Sequence, residues 1–300
     1  MTRRSAATPA PPGTDRGPRP RCWRALAIAG LALAALAVAA GGCAGAQADP
    51  QGASSTGDKP LLVAGAADLR PAFELLGATF EEATGEEVTF SFGSSGQLAQ
   101  QLIEGAPMDL YASANVAYVD AVLDAGVGDP ATQTTYAYGR IAIWSTSELW
   151  GEWDSLAELV DDDGATTIAI ANPEHAPYGL AAQQALESAE LWDEVGPRLV
   201  YGENIADTLR LAATGDADAA VVALSLALAA DEDGDGQWAL LEEDLHEPLQ
   251  QDLVVVADDP DRSRLAEAFL AHVDGEEGRE VMRRYGFLLP DDEPPESWER

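Results

Sequence analysis

The chain has 300 residues, with 52 acidic against 17 basic side chains and a net charge of −35 at neutral pH. That balance makes nucleic acid and anionic lipid surfaces poor partners, because the long-range field repels them. Lys59 is the sole lysine, so Lys Schiff-base and Ser–Lys chemistry are excluded from the part that folds after it.

Arg16, Arg19, Arg21 and Arg24 precede an apolar run from Ala25 to Ala40, which ends in Gly41-Gly42-Cys43. A basic stretch, a short apolar core and a small-residue site read as an export signal over residues 1–42. The run is shorter than the ~20 residues of a membrane span. A cysteine directly after two glycines suggests lipidation of Cys43 after cleavage, with a plain secretory signal as the alternative. Ala40 stands where such sites usually carry Leu. Residues 1–42 hold six arginines and one acid, so cleavage would take the net charge from −35 to −40. The other cysteine, Cys22, falls inside the signal, and the exported chain would have no internal disulfide. A hydrophobic core must then stabilise it. Residues 43–59 are rich in Ala, Gly, Ser, Gln and Asp and read as a flexible tether.

Strands and helices alternate from there. Leu61–Ala66 is expected as a buried strand, and Leu69–Thr84 as a helix with Leu69, Phe73, Leu76 and Phe80 on one face. Strands are further expected at Val88–Phe92, Asp109–Ala112, Arg140–Trp144, Thr167–Ala171, Leu199–Tyr201, Ala219–Ala223 and Leu253–Ala257. Helices are expected at Gly96–Ile103, Ala117–Ala125, Trp153–Val160, Gly179–Leu191, Ile205–Ala213, Arg264–Val273 and Glu276–Tyr285. The alternation implies mostly parallel sheets with helices on both faces. Residues 291–300 are acidic and Pro-rich and read as a loose tail.

In such sheets ligands sit beyond the carboxyl ends of the strands. Four strand-to-helix turns share one chemistry. Ala64-Gly65-Ala66-Ala67-Asp68 and Gly93-Ser94-Ser95-Gly96 lie in the first half; Asn172 to Gly179 and Gly202-Glu203-Asn204 lie in the second. Each joins small or turn-forming residues to a helix start, where N–H groups lack intrahelical partners and the dipole is positive. Ser94 or Ser95 can cap the helix that follows. Hydroxyls and free amides without Lys or Arg make a seat for an oxyanion. The natural arrangement is two lobes facing across a cleft.

At this point the residues carry a family resemblance. AGAADLRPAFELLGATFEEATGEEV, SFGSSGQLAQQLIEGAPMDLYASAN, ANPEHAPYGLAAQQALE, GENIADTLRLAATGDADAAVVALSLAL and RRYGFLLP span residues 61 to 290 in order. They resemble the extracytoplasmic molybdate-binding proteins of ABC transporters. The resemblance implies a type II periplasmic-binding-protein fold: two lobes, each a mostly parallel sheet flanked by helices, joined by two crossover strands. The crossings are expected near Tyr138–Ile141 and Gln251–Val255. Lobe 1 would comprise 60–139 and 252–290, and lobe 2 would comprise 140–251. The resemblance also implies capture of molybdate or tungstate, with no cofactor, by a monomer that hands the ion to a membrane permease and its ATPase subunit. It implies ligand-binding roles for Ser95 beside Ser94, for the N–H of Tyr178 and for the N–H of Ile205. Ala67 and Ser225 are secondary candidates.

Two positions depart from the family pattern. Asp68 stands where many members have Ser, and Ala223 where many have a ligand-binding Tyr. A carboxylate about 4 Å from a dianion is repelled by several kcal/mol at an effective dielectric near 20. Either Asp68 caps its own helix, or it accepts a hydrogen bond from a protonated oxyanion or helps to hold a cation. Tyr178 or Ser225 can stand in for the missing phenol. A receptor for another oxyanion therefore remains an alternative. A secreted hydrolase using Ser94 or Ser95 is a third, separable by ester or phosphate turnover.

One further constellation stands apart. Asp231, Asp233, Asp235 and Glu242 have the spacing of an EF-hand calcium loop, with Gly236 at its sixth position. A solvated acidic loop accounts for the same run. His175, His246 and His272 are too scattered for a metal motif, and His175 reads as a structural hydrogen-bonding residue.

Overall fold

The computed structural model describes residues 59–146, 149–234 and 236–292. The export signal, Cys43, the tether up to residue 58, Asp235 and the tail beyond residue 292 lie outside them. The chain first builds β1 (Leu61–Ala66), α1 (Arg70–Thr84), β2 (Val88–Gly93), α2 (Ser95–Ile103), β3 (Leu110–Ser113), α3 (Val116–Asp124) and β4 (Thr134–Gly139). Next come β5 (Ile141–Ser145), α4 (Leu156–Asp161), β6 (Ile168–Ala171), α5 (Pro177–Ser188), α6 (Trp192–Val195) and β7 (Leu199–Gly202). They are followed by α7 (Ile205–Ala213), β8 (Ala219–Ala223), α8 (Leu224–Asp233) and β9 (Gln237–Leu240). Last are β10 (Leu249–Val255), α9 (Pro260–Asp274) and α10 (Glu276–Arg284).

The strands form two five-stranded sheets, ordered β2-β1-β3-β10-β4 and β7-β6-β8-β5-β9. β1 runs parallel to β2 and β3, and β6 parallel to β7 and β8. One strand in each sheet is reversed: β10 against β3 and β4, and β5 against β8 and β9. Each lobe is thus a mixed sheet with helices around it. The reversed strand is the one that arrives by crossover from the other lobe. β4 ends at Gly139 in the first sheet and β5 begins at Ile141 in the second, so the first crossing turns on Arg140. The chain is back in the first sheet by Leu249, ahead of the Gln251–Val255 stretch marked from sequence.

Burial explains the framework. β1 is almost wholly enclosed, as a central parallel strand must be. Phe73, Leu76 and Phe80 of α1 are buried on one face, as their spacing demands. Phe269 of α9 meets Phe73 and Phe80 edge-on, with ring centroids at 5.9 and 5.4 Å. Such pairs add about 0.5–1.5 kcal/mol each beyond their buried area. Asp109, in the GAPMDL segment, accepts the N–H of Leu62 at 2.7 Å and pairs with Arg262, tying the start of β1 to α9. Its role is architectural.

The acidic run is helix where a calcium loop was one expectation. α8 continues through Asp231 to Asp233 and stops on left-handed Gly234, φ 76°, with β9 starting at Gln237. An EF-hand loop must wind its first five positions around the ion, which an i→i−4 ladder prevents. Glu242 lies beyond β9, at the start of a short 3-10 turn. No group of three or more His, Cys, Asp or Glu among the described residues could hold a metal ion. The first two residues of the tail are also anchored rather than loose. Asp291 pairs with Arg279, and Asp292 accepts from Arg283 at 2.8 Å and from the N–H of Leu289 at 2.8 Å.

Candidate functional site

The two lobes meet across a small cleft lined by Ala66, Ala67, Asp68, Gly93, Ser94, Ser95, Ala114, Ala176, Pro177, Tyr178 and Ile205. Strand ends and helix starts from both lobes converge there. The first lobe contributes the β1 turn, the start of α2 and Ala114. The second contributes the starts of α5 and α7. The lining contains no lysine or arginine.

Ser95 is the first residue of α2 and is 1% exposed. Its Oγ accepts the N–H of Ala114 at 3.0 Å, so its own proton is left to donate elsewhere. Its carbonyl accepts the Tyr111 phenol at 2.8 Å, which fixes the turn from beneath. Ser94 occupies the N-cap position but makes no side-chain cap. It donates instead to the carbonyl of His175 in the other lobe, with His175 Nδ1 at 2.9 Å. The same carbonyl accepts the N–H of Gly96 at 3.0 Å. These bonds form a clasp between lobes, and the capping role expected for a serine of this turn is not made.

In the second lobe Pro177 opens α5, where its fixed φ suits the first helical position and its lack of an N–H costs nothing. Tyr178 follows, and its N–H falls in the first turn, where no intrahelical acceptor exists. Asn204 caps α7 by accepting from the N–H groups of Ala206 and Asp207, each at 3.0 Å. It leaves the N–H of Ile205 aside.

Asp68 is the unusual member. It is fully buried in the 3-10 turn Ala67–Leu69, where its own N–H and that of Leu69 pull on its carboxyl. Oδ2 accepts the Tyr178 phenol at 2.9 Å and Gln251 Nε2 at 2.8 Å. Gln251 Oε1 in turn accepts the Tyr136 phenol at 2.8 Å. Oδ1 is buried with no hydrogen-bond partner. Ser225 donates to the Asp68 carbonyl at 2.8 Å from α8 and does not line the cleft. The Tyr178 phenol and the Ser225 hydroxyl are therefore both engaged with Asp68, and neither stands in for the missing phenol. Ala223 is the buried last residue of β8, paired with Ile141, and is not among the lining residues.

Burial raises the Asp68 carboxyl from 3.8 to about 6, against the opposing pull of Gln251, of Tyr178 and of the N–H groups of Asp68 and Leu69. Burial, and then the charge of Asp68, raise the Tyr178 phenol well above its usual value, so it stays a donor. The folded protein thus keeps on Asp68 a proton that the unfolded chain releases. This favours folding fully below about pH 4 and is lost as pH rises through 6, a loss on the order of 3 kcal/mol. Asp68→Asn cannot ionise. Urea unfolding at pH 4 and 7.5 should show the variant gaining about 2 kcal/mol on the wild type between the two. A constant difference would mean that Asp68 titrates normally.

Sequence reading picked out Asp68, Ser94, Ser95, Tyr178, Ile205 and Ala67, and the fold brings all six to one cleft. It missed Gln251 and Tyr136, which orient Asp68. The signal for Gln251 was a pair of glutamines inside an apolar strand, one of which must face inward. Gln251 is 0% exposed.

Residues 61–288 match the model of the bacterial extracellular solute-binding protein family. The molybdate-binding protein ModA of Rhodobacter capsulatus is 32% identical over 234 residues, covering 76% of this chain and 88% of its own. ModA of Azotobacter vinelandii is 30% identical over 229 residues, covering 76% and 90%. The solved structure of the Azotobacter vinelandii periplasmic molybdate-binding protein superposes with a TM-score of 0.72 at 29% identity, covering 77% of this chain and all of that one. This chain therefore belongs to the bacterial extracellular solute-binding proteins, in the group of its ModA relatives, and is a binding component of transport rather than an enzyme.

Proposed function

We propose that the protein captures a tetrahedral oxyanion, molybdate or tungstate, between its lobes and delivers it to an ABC permease with its ATPase subunit. The carrying observation is the donor set. Ser95 Oγ is held by the Ala114 N–H with its proton free, and the starts of α5 and α7 face it across a cleft without Lys or Arg. Neutral donors in a closed, dry cleft bind an ion strongly, because low dielectric strengthens each bond. The ModA relatives carry the choice of ion. The anion would bridge helix N-termini of both lobes, and so favour the closed arrangement that a transporter recognises. The N–H groups of Tyr178 and Ile205 act with Ser95, Ala67 supplies the first-turn backbone, and Ser94 holds the lobes together. The protein would work outside the cytoplasm as a monomer, tethered through lipid on Cys43.

A second oxyanion stays in view because Asp68 is an added acid in the lining. Calorimetry with molybdate, tungstate, sulfate and phosphate at two pH values tests the reading. Tight molybdate and tungstate binding with sulfate excluded is the expected result; a protein that binds none of the four refutes it.

A further inference from the structure

We propose that Asp68 meets the bound ion as a carboxylic acid, with Oδ1 donating its proton to an oxyanion oxygen, so that each dianion enters with one proton. The inference rests on the oxyanion reading above and says how that site tolerates an acid.

The geometry assigns different work to the two oxygens. Oδ2 receives two donors, the Tyr178 phenol and Gln251 Nε2, which is the pattern of a carbonyl oxygen. Oδ1 is buried, has no partner, and belongs to a residue that lines the cleft. A tetrahedral dianion offers only acceptors, and so does an ionised carboxylate. Two acceptors cannot face each other in a dry site unless a proton lies between them. No cation among the described residues lines the cleft to offset the charge. A protonated Oδ1 completes the donor set.

The surroundings leave Asp68 as the group that carries this proton. Tyr178 from α5 and Tyr136 from β4 face it, and both phenols are pushed well above their usual range by burial. Gln251 from β10 and Ser225 from α8 do not titrate; Asp252, next on β10, accepts from Gln133 and Thr135, and Arg140 at the crossing donates to the Gly286 carbonyl. β2 carries no ionisable side chain. Of the charged groups on the helices packed nearby, Arg70 pairs with Glu74 on α1, Arg210 with Asp207 on α7, and Glu232 of α8 with Arg284. His175, just ahead of α5, contacts Ser94. Burial has already raised the Asp68 carboxyl to about 6 without a ligand, and a dianion beside it would raise it further.

The consequence is proton-linked capture. Above about pH 6, binding draws one proton from solvent per ion, and the apparent Kd rises about tenfold per pH unit. The test is calorimetry of the purified protein with molybdate at pH 7.5 and 8.5, where the ion is a bare dianion, in buffers of different ionisation enthalpy. Expected are uptake of close to one proton per molybdate and a Kd about tenfold higher at pH 8.5. Asp68→Ser keeps a donor but no titratable group, and should lose both effects. Molybdate binding by the wild type without proton uptake and with equal Kd at the two pH values overturns the proposal. So does proton uptake that persists in Asp68→Ser, which would place the proton elsewhere. Should that variant not fold, the wild-type measurement decides alone. If neither protein binds molybdate, tungstate, sulfate or phosphate, the oxyanion reading falls and the proposal with it; binding without proton uptake removes only the proposal.

Discussion

Ser95→Ala is expected to weaken molybdate binding by about 10- to 100-fold. A hydrogen bond to a charged group contributes about 1.5–3 kcal/mol, and each 1.4 kcal/mol is a factor of ten. The serine has two tasks. Its hydroxyl is the side-chain donor of α2 that is free to meet an anion, since Ser94 spends its proton on His175. Its oxygen also satisfies the N–H of Ala114, so alanine leaves a buried donor without an acceptor. That second loss costs about 1–3 kcal/mol of stability. Titration calorimetry and urea unfolding on one preparation separate the two. Wild-type affinity in the variant would remove Ser95 from the ligand.

Gly139→Ala is expected to act through the hinge. A Cβ at Gly139 would lie 2.2 Å from the Tyr178 phenol oxygen and 2.8 Å from Gln251 Nε2. Both side chains are buried and held by Asp68, so they have little room to withdraw. Overpacking of this kind costs about 1–3 kcal/mol. Tyr178 belongs to the second lobe and Gly139 to the first, so opening the cleft relieves the clash. The penalty then falls on the closed state, and apparent affinity for the ion should drop by about 5- to 150-fold. Binding equal to wild type would mean that the closed arrangement does not bring this phenol against the crossover. Gly286, after α10, has φ +80° and a carbonyl that accepts Arg140 Nε and Nη2 at 2.9 and 2.8 Å, next to Gly139. The RYGF segment thus closes over the crossing strand.

Much of the framework was legible because local signals agreed with the tertiary outcome. α7 and β8 were bounded correctly, since Asn204 caps one and turn residues precede the other. α8 was missed for a physical reason. β8 passes into it at Ala223 with no side-chain cap, glycine or proline, and residues 219–229 form a nearly unbroken apolar run. Periodicity cannot divide such a run into strand and helix. The same miss lent the acidic residues after it the appearance of a calcium loop. β4 was missed because its alternation is short and its partner, β10, lies more than a hundred residues away.

What the sequence by itself determined is the set of turns. Small residues, hydroxyls and helix starts at four strand ends are local chemistry, and local chemistry is written residue by residue. Which atoms those turns would leave free was decided only by the tertiary structure. Ser94 and Ser95 are neighbours, yet one is spent on a carbonyl of the opposite lobe and the other keeps its proton. Asp68 was readable as a cap, a ligand or a cation holder. Tyr178 and Gln251, 110 and 183 residues away, settle how it is turned by occupying one oxygen and leaving the other bare. The reason is burial: a carboxyl takes its properties from the groups that replace water around it, and here those groups come from both lobes.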